Sequence, residues 1–447
     1  MTSNCFLLTA NDLHKHTTVL SEHDVHKQNL LFSMFEQKMR QGAGIIYLDT
    51  NPQLGDFGRF HKMAIALNRN QDVRLIDLEN AVESHTYNPL MQGSADAVAR
   101  RVMSLLSRME ATDEQRALIF HGLKCILSAI FHQNMSVHFL DLERLTSSAS
   151  ALEMLRLNTP KDDGATRDFH VWVAELMLVD DVSGAESVDQ QALDALFMQT
   201  ALYLKNFAHG DAGKVLCTYN PEVSLEESLR ENQLVYIALP AAVEDETLRA
   251  FAHILFSDLC LSVKTLHEKG IKTAPGCLCV MDDVHTYFSK SFLPLMDFAR
   301  EINMSLVGVV SEEMTEDKPF KYTEALLSFM ENCEQQLCVC QDKVTHLFMG
   351  LEYLLPKGFV PQSYEVAKGE GVCVTAEKLV KFSIRPSSVG VTEKHIPLMH
   401  FNKIGKKGLD IALKYTTFRE GTGANTLENT PDSPHKSEES IKEPSAL

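Results

Sequence analysis

No run of about 18 consecutive apolar residues occurs in the chain, so nothing in it reads as a membrane-spanning helix. The first residues, MTSNCFLLTANDLHKH, lack a basic start ahead of an apolar core, and no secretion signal is expected. Neither a G-x-S-x-G elbow nor an H-E-x-x-H helix is present, which removes the usual serine-hydrolase and zinc-protease readings. Basic residues are short as well: 42 Lys and Arg stand against 60 Asp and Glu, a formal charge of −18. Such a surface repels phosphate backbones, and no long Lys/Arg cluster offsets it, so proteins rather than nucleic acids are the expected partners. Tryptophan occurs once, at Trp172 in HVWVAELMLVDD (170–181), where a core or docking aromatic is expected.

What is present is an ordinary globular composition, 45% hydrophobic and 23% charged over 447 residues, long enough for two compact domains. The ten cysteines are scattered, and in GCLCV and QLCVCQ they alternate as side chains on one face of a strand would. Buried, reduced thiols of a cytoplasmic protein are the expectation.

Short runs rich in Val, Ile and Leu recur at 44–50, 73–79, 234–240, 277–284 and 304–310, alternating with amphipathic helical stretches. That pattern predicts a mostly parallel sheet covered by helices on both faces, an α/β fold. Further strands are expected at 335–341 and 379–386. Residues 95–109, 113–133 and 187–208 carry apolar residues at helical spacing, and 91–210 reads as an all-helical insertion. From residue 419 the sequence is polar, with Pro and Ser and few large apolar residues, and a flexible tail is expected over 419–447.

Residues 17–50 read as strand, turn, helix, turn, strand, and a phosphate-binding loop would occupy the first turn, SEHDVHKQ (21–28). Such loops need glycines that let backbone N–H groups curl around phosphates. They also need a lysine for the outer phosphates and a Ser/Thr hydroxyl for Mg²⁺. Against G-x-x-x-x-G-K-[ST] the chain offers Ser21, His26, Lys27 and Gln28, and only the lysine agrees. Glu22 and Asp24 would set negative charge beside the phosphates, each opposing binding by about 3 kcal/mol at ~5 Å and an effective dielectric of ~20. Later, CLCVMDD (277–283) is an apolar strand closing on paired acids. There Asp282 would hold Mg²⁺ and Asp283 would polarise the attacking water, or both are acids facing solvent at a strand end.

The order of these segments resembles the cytoplasmic ATPase domain of type IV secretion and conjugation coupling proteins (TraD/TraG- and DotL-like), relatives of the FtsK/HerA pumps. The resemblance runs over roughly residues 17–386. It is carried by QGAGIIYLDTN, HTYNPL (85–90), ENQLVYIALPA (231–241), MDDVHTYF (281–288), FAREINMSLVGVVSEE (298–313), LLSFMENCEQQLCVCQD (326–342) and GEGVCVTAEKLVKFSIRP (369–386). It implies a RecA-like P-loop-type α/β domain in two parts, 1–90 and 211–390. The all-α insertion at 91–210 separates the parts, and a C-terminal extension at 391–418 precedes the tail.

Carried over by residue, the resemblance gives Lys27 as the P-loop lysine, Asp282 and Asp283 as the Walker B acids, and Arg300 as an arginine acting in a neighbouring subunit's site. An ordinary surface arginine is the simpler reading of Arg300. The family's phosphate-sensing glutamine falls on Ser311, its aspartate–proline–lysine motif becomes DTNPQ (49–53), and its N-terminal membrane hairpin has no counterpart. Loop glycines, Mg²⁺ hydroxyl, sensor and anchor are therefore lost together. The resemblance then implies a non-catalytic pseudo-ATPase with no cofactor, a scaffold or adaptor for protein substrates or for an ATPase assembly. It would be cytoplasmic and would meet the inner membrane only through partners. The alternative is an active ATPase using ATP and Mg²⁺ through an atypical loop to drive DNA or protein transfer. A metal site at His14, His16, His23 and His26 with Asp24 matches neither usual zinc pattern and is not expected.

Overall fold

The computed structural model describes residues 15–21, 25–50, 52, 56–106, 111–161, 164, 166–179, 184–239, 246–289, 292–311, 323–339, 369–375, 379–384, 387 and 398. Glu22, His23, Asp24, His14 and the expected tail lie outside them.

Nine strands form one sheet in the order β11-β10-β9-β1-β8-β7-β2-β6-β3. They are β1 (Thr17–Ser21), β2 (Gly44–Asp49), β3 (Val73–Asp77), β6 (Leu234–Ala238), β7 (Cys277–Met281), β8 (Met304–Ser311), β9 (Gln335–Val339), β10 (Glu370–Thr375) and β11 (Leu379–Ser383). From β1 to β9 all pairings within this sheet are parallel, and the hairpin β10–β11 closes one edge antiparallel. The α/β, RecA-like expectation holds. Both faces are covered: helices α1 (Val25–Arg40) and α2 (Asp56–Ala66) pack on one, through Leu31, Phe35, Phe60 and the Ile45 and Tyr47 side of β2. The other face carries α11 (Glu246–Glu268), α12 (Leu293–Glu301) and the inserted helices in one continuous core. Parallel strands buried on both sides explain why their sequences are nearly unbroken apolar runs.

Several expected strands end earlier than their apolar runs suggest. The run at 277–284 stops at Met281, so Asp282 and Asp283 lie in the turn beyond it, with Asp283 left-handed at φ 42°. Cys277 and Cys279 point together into the core, and burial raises both thiols, so neither is a ready nucleophile.

The insertion is not wholly helical, and here the expectation is corrected. Helices α3 (Ala95–Leu105), α4 (Asp113–His132), α5 (Phe139–Ser147), α6 (Ala149–Asn158), α7 (Arg167–Ala174) and α8 (Gln190–Ala208) are joined by an antiparallel ribbon, β4 (Met177–Val179) with β5 (Glu186–Val188). Helices α9 (Gly210–Leu216) and α10 (Leu225–Arg230) lead back to β6. Helix starts carry the signals that physics asks for: Ser94 Oγ accepts from Ala97 N–H, and Thr112 with Gln115 forms a capping box. Trp172 belongs to the core. Gly122 of α4 lets its ring and that of Phe197 approach, since a Cβ there would stand 2.6 Å from Phe197 and 2.9 Å from Trp172.

Buried polar side chains fasten this insertion to the sheet, and HTYNPL supplies several of them. Asn88 Nδ2 donates to the carbonyls of Val137 and Thr218. Tyr87 Oη donates to Asp258 Oδ2 at 2.6 Å, while Arg101 Nη1 stands 2.9 Å from Asp258 Oδ1 and the guanidinium donates to the carbonyls of Pro89 and Gln92. Arg101 and Asp258 are both buried, so truncating one strands the other's charge. Arg101→Met is expected to lower unfolding free energy by about 3–5 kcal/mol, measured by urea titration. Arg101→Met with Asp258→Leu should recover much of that loss.

His138 and Tyr219 stack at 4.5 Å, and both lean on Asp141, whose Oδ2 accepts from Tyr219 Oη at 2.7 Å and from the His138 backbone N–H at 3.0 Å. Burial pulls the His138 pKa down to about 4 from the ordinary 6.5. A histidine held neutral in the fold protonates first in the unfolded chain. Its stabilising contribution is therefore complete above pH 6.5 and is lost as pH falls towards 4. Over that window the loss is on the order of 3 kcal/mol. Urea titrations across the same pH range should show His138→Gln flattening the slope.

Candidate functional site

Parallel strands bring their C-terminal ends to one edge, and that edge is where the sequence placed its nucleotide residues. β1 ends at Ser21, α1 begins at Val25, and Lys27 sits in the first turn of that helix. β8 separates β1 from β7, and Ser311 at its end lies in register with Ser21. Lys27 nonetheless spans the gap. Its Nζ donates to Asp282 Oδ2 at 3.0 Å and to Oδ1 at 3.2 Å, and both side chains are buried, at 5% and 1% exposure. Residues 255 apart in sequence thus form one ion pair.

The neighbours are acidic. Asp49 ends β2 and accepts a short hydrogen bond from Tyr236 Oη. Asp283 Oδ2 accepts from the Thr50 hydroxyl at 2.7 Å, while its buried Oδ1 has no hydrogen-bond partner among the described residues. Tyr287 Oη donates to the Asp282 carbonyl at 2.9 Å. Gln28, which stands where a Mg²⁺-ligating hydroxyl belongs, donates through Nε2 to Asp56 Oδ2 at 3.0 Å instead. Three carboxylates, Asp282, Asp283 and Asp49, therefore act on one ammonium, an excess of two formal negative charges.

Burial works against the charged Lys27, but the attraction and hydrogen bonds of Asp282, with Asp283 and Asp49 behind it, outweigh that and raise its pKa. Burial also raises Asp282, and the nearby Asp283 adds to this, while Lys27 opposes it. The two shifts pull differently on the pair. Its two contacts of 3.0 and 3.2 Å decide for a charged, hydrogen-bonded Lys27–Asp282 unit at neutral pH.

Arg300 stands elsewhere. It closes α12 just before β8 begins, at the opposite end of the strands, roughly 20 Å away along an eight-residue strand. Its Nε donates to Glu334 Oε1 at 2.9 Å, Nη1 to Asp297 at 3.2 Å and Nη2 to the Asn332 carbonyl. Glu334 Oε2 in turn accepts from the His16 backbone N–H at 2.7 Å, so the guanidinium ties α12 to the starts of β1 and β9. The His16 ring is spent in the same way: Nδ1 accepts from Leu306 N–H and Nε2 meets the Met296 carbonyl. Among the described residues no group of three or more His, Cys, Asp or Glu side chains is arranged to hold a metal ion. None of their helices is long and apolar enough to cross a membrane.

With this geometry in view, comparison with solved structures is decisive for the fold. The bacterial conjugative coupling protein TrwB, lacking its first 70 residues and unbound, matches with a TM-score of 0.54 over 86% of this chain and 88% of its own, at 12% identity. The chain has the fold of a conjugative coupling protein. TrwB in complex with the ATP analogue ADPNP matches equally, with a TM-score of 0.55 over 86% of this chain and 88% of that one, at 11% identity. VirB4 of Thermoanaerobacter pseudethanolicus is less alike, with a TM-score of 0.48 at 14% identity, covering 83% of this chain and 90% of its own. No protein-family model matches the sequence, and no curated protein does.

Sequence reasoning found Lys27, Asp282 and Asp283 at one edge of the coupling-protein-like sheet. It missed that the lysine is already bound to the acid, and it missed Asp49, Thr50 and Asp56 as their neighbours. DTNPQ had been noticed only as a broken motif, although an acid closing an apolar run at Asp49 is the same signal that marked Asp282. If the pair is structural, Lys27→Met will cost about 3–5 kcal/mol of stability by stranding Asp282, and Lys27→Met/Asp282→Asn will restore most of it. A cost below about 1 kcal/mol for the single change would show an ammonium that the fold does not need.

Proposed function

We propose that this chain is a non-catalytic, coupling-protein-like component of a bacterial type IV secretion or conjugation system. It would serve as a scaffold or adaptor for protein substrates or for an ATPase assembly. The observation that carries the reading is the Lys27–Asp282 ion pair. The lysine that would meet the outer phosphates and the acid that would meet Mg²⁺ are spent on each other, below 6% exposure, with Asp49 and Asp283 close by. A triphosphate brings several negative charges to that edge. Opening the pair to admit it would leave the acids uncompensated, at about 3 kcal/mol per close carboxylate–phosphate contact before screening. On this reading Lys27 and Asp282 serve the fold rather than a nucleotide, and no catalytic step is assigned to them.

Likeness of fold to TrwB supports the secretion or conjugation setting, and the acidic surface supports protein partners reached from the cytoplasm, with the inner membrane met only through them. Arg300, proposed to complete a neighbour's site, would first have to leave Glu334, Asp297 and the Asn332 carbonyl, which makes its role within its own chain the primary one. The second reading, an ATPase with an atypical loop, draws on Lys27, Asp282 and Asp283 standing at the strand ends of a fold in which TrwB has been solved with ADPNP and with ADP and Mg²⁺.

Isothermal titration of the full chain with ATP and Mg²⁺, alongside a phosphate-release assay, separates the two. The expected result is neither heat nor release at millimolar nucleotide. Sub-millimolar, Mg²⁺-dependent binding that is lost in folded Lys27→Arg would overturn the non-catalytic reading.

A further inference from the structure

Eight large apolar side chains are more than half exposed among the described residues, and all but Val82 belong to the insertion. Five of them, Val171, Leu178, Val179, Met198 and Leu202, fall between residues 168 and 204. The helices and ribbon that carry them, residues 167–208, hold seven Asp and Glu against two bases, Arg167 and Lys205. They also form one structural unit. α7 runs directly into β4, the Asp189 N–H donates to the Leu176 carbonyl where β5 gives way to α8, and Trp172 of α7 packs on Phe197 of α8 at 6.1 Å. The exposed Val171 and Met198 thus flank a single junction, and Leu202 lies one helical turn further along α8.

Within the unit the ribbon is the open element. β5 packs against α6, and β4 pairs with β5 alone among the described residues, so the outer edge of β4 is unpaired. On it Leu178 and Val179 are 57% and 55% exposed. An apolar strand edge is a template for another strand unless it is blunted by charge, proline or a cover. Here the exposed charge on the ribbon is acidic: Glu175 precedes it and Glu186 stands opposite Val179, with Arg156 of α6 in electrostatic reach of Glu186.

We propose that the outer edge of β4 is a docking site for an extended, basic segment of a partner protein. That segment would add as a third strand, with one large apolar side chain beside Leu178 on one face, another beside Val179 on the other, and a cation facing Glu175. Main-chain pairing supplies affinity without demanding one sequence, and the acidic excess favours basic segments and speeds their arrival. This names a surface for the adaptor reading above, yet it does not depend on the nucleotide edge, because no residue of the unit lies there.

The test is fluorescence anisotropy of a labelled synthetic peptide repeating Lys-Leu-Leu-Lys, whose adjacent leucines reach both faces of an added strand, titrated with the full chain without nucleotide. Glutamate–leucine and lysine–serine peptides serve as controls. The lysine–leucine peptide is expected to bind, to weaken as salt rises, and to outcompete both controls. Leu178→Thr/Val179→Thr, which keeps strand-forming residues on an exposed edge, should weaken it about tenfold or more. Glu175→Gln/Glu186→Gln should remove most of the salt dependence, and Val82→Thr should change nothing. Equal binding of the glutamate–leucine peptide, or affinity unchanged by the Leu178/Val179 pair, would overturn the proposal. So would absence of peptide binding together with an intrachain cross-link from residues 168–204 to the lysine-bearing residues 394–419, which would make the chain its own occupant. Failure here leaves the nucleotide titration unaffected, and the reverse also holds.

Discussion

A buried ammonium next to a buried carboxylate at the strand ends governs how this sheet edge is built. Neither charge of the Lys27–Asp282 pair can be held away from water alone, because stranding either one costs several kcal/mol. The pair joins α1 to the turn after β7 across the intervening β8, and so fixes the entry of the first helix relative to the sheet. Once it is made, the remaining acids need donors of their own. Tyr236 answers Asp49, Thr50 answers Asp283 and Gln28 answers Asp56. Among the described residues, these side-chain donors at the strand ends go to the edge's own carboxylates.

The far end of the strands shows the same economy with different chemistry. Arg300, Glu334 and His16 tie α12, β1, β8 and β9 together, and Arg69 does so at the other side by donating to the carbonyls of Ala43 and Asn232 while pairing with Asp72. Guanidinium groups suit this work because their several donors reach backbone carbonyls and a carboxylate together. An arginine with so many partners in its own chain is a poor candidate for mobility. Both ends of the sheet are thus closed by charged side chains acting on their own fold.

Much of this architecture was legible in the sequence because burial on both faces writes parallel strands as plain apolar runs. Their ends were less legible, since Asp282 and Asp283 looked continuous with CLCVM until the backbone turned at Asp283. The ribbon β4–β5 escaped notice because each strand is three residues long and only Met177 and Val188 face inward, too few for a period of two to show. The site was half legible. Motif spacing located Lys27 and the acids, but a pairing across 255 residues has no local signal, and neither has the Arg101–Asp258 pair. The roles of Tyr87 and Asn88 were hidden for the same reason, since HTYNPL reads as a turn until its side chains meet α11 and the carbonyls of Val137 and Thr218.

The distribution of exposed apolar surface carries the argument one step further. Folding has paired Lys27 with Asp282 at the strand ends and fastened the insertion to the sheet through Arg101, Asp258, Tyr87 and Asn88, all in the interior. A protein under no other demand would also retire its exposed Leu and Val, since each apolar side chain kept in water forgoes about 1.5–3 kcal/mol of burial. Scattered exceptions need no explanation, but here they crowd into one acidic stretch and onto an unpaired strand edge. An acidic excess disfavours pairing of such an edge with its own copies, because two acidic edges repel. At the strand ends Lys27 and Asp282 are held by each other, while exposed apolar side chains of the insertion face solvent.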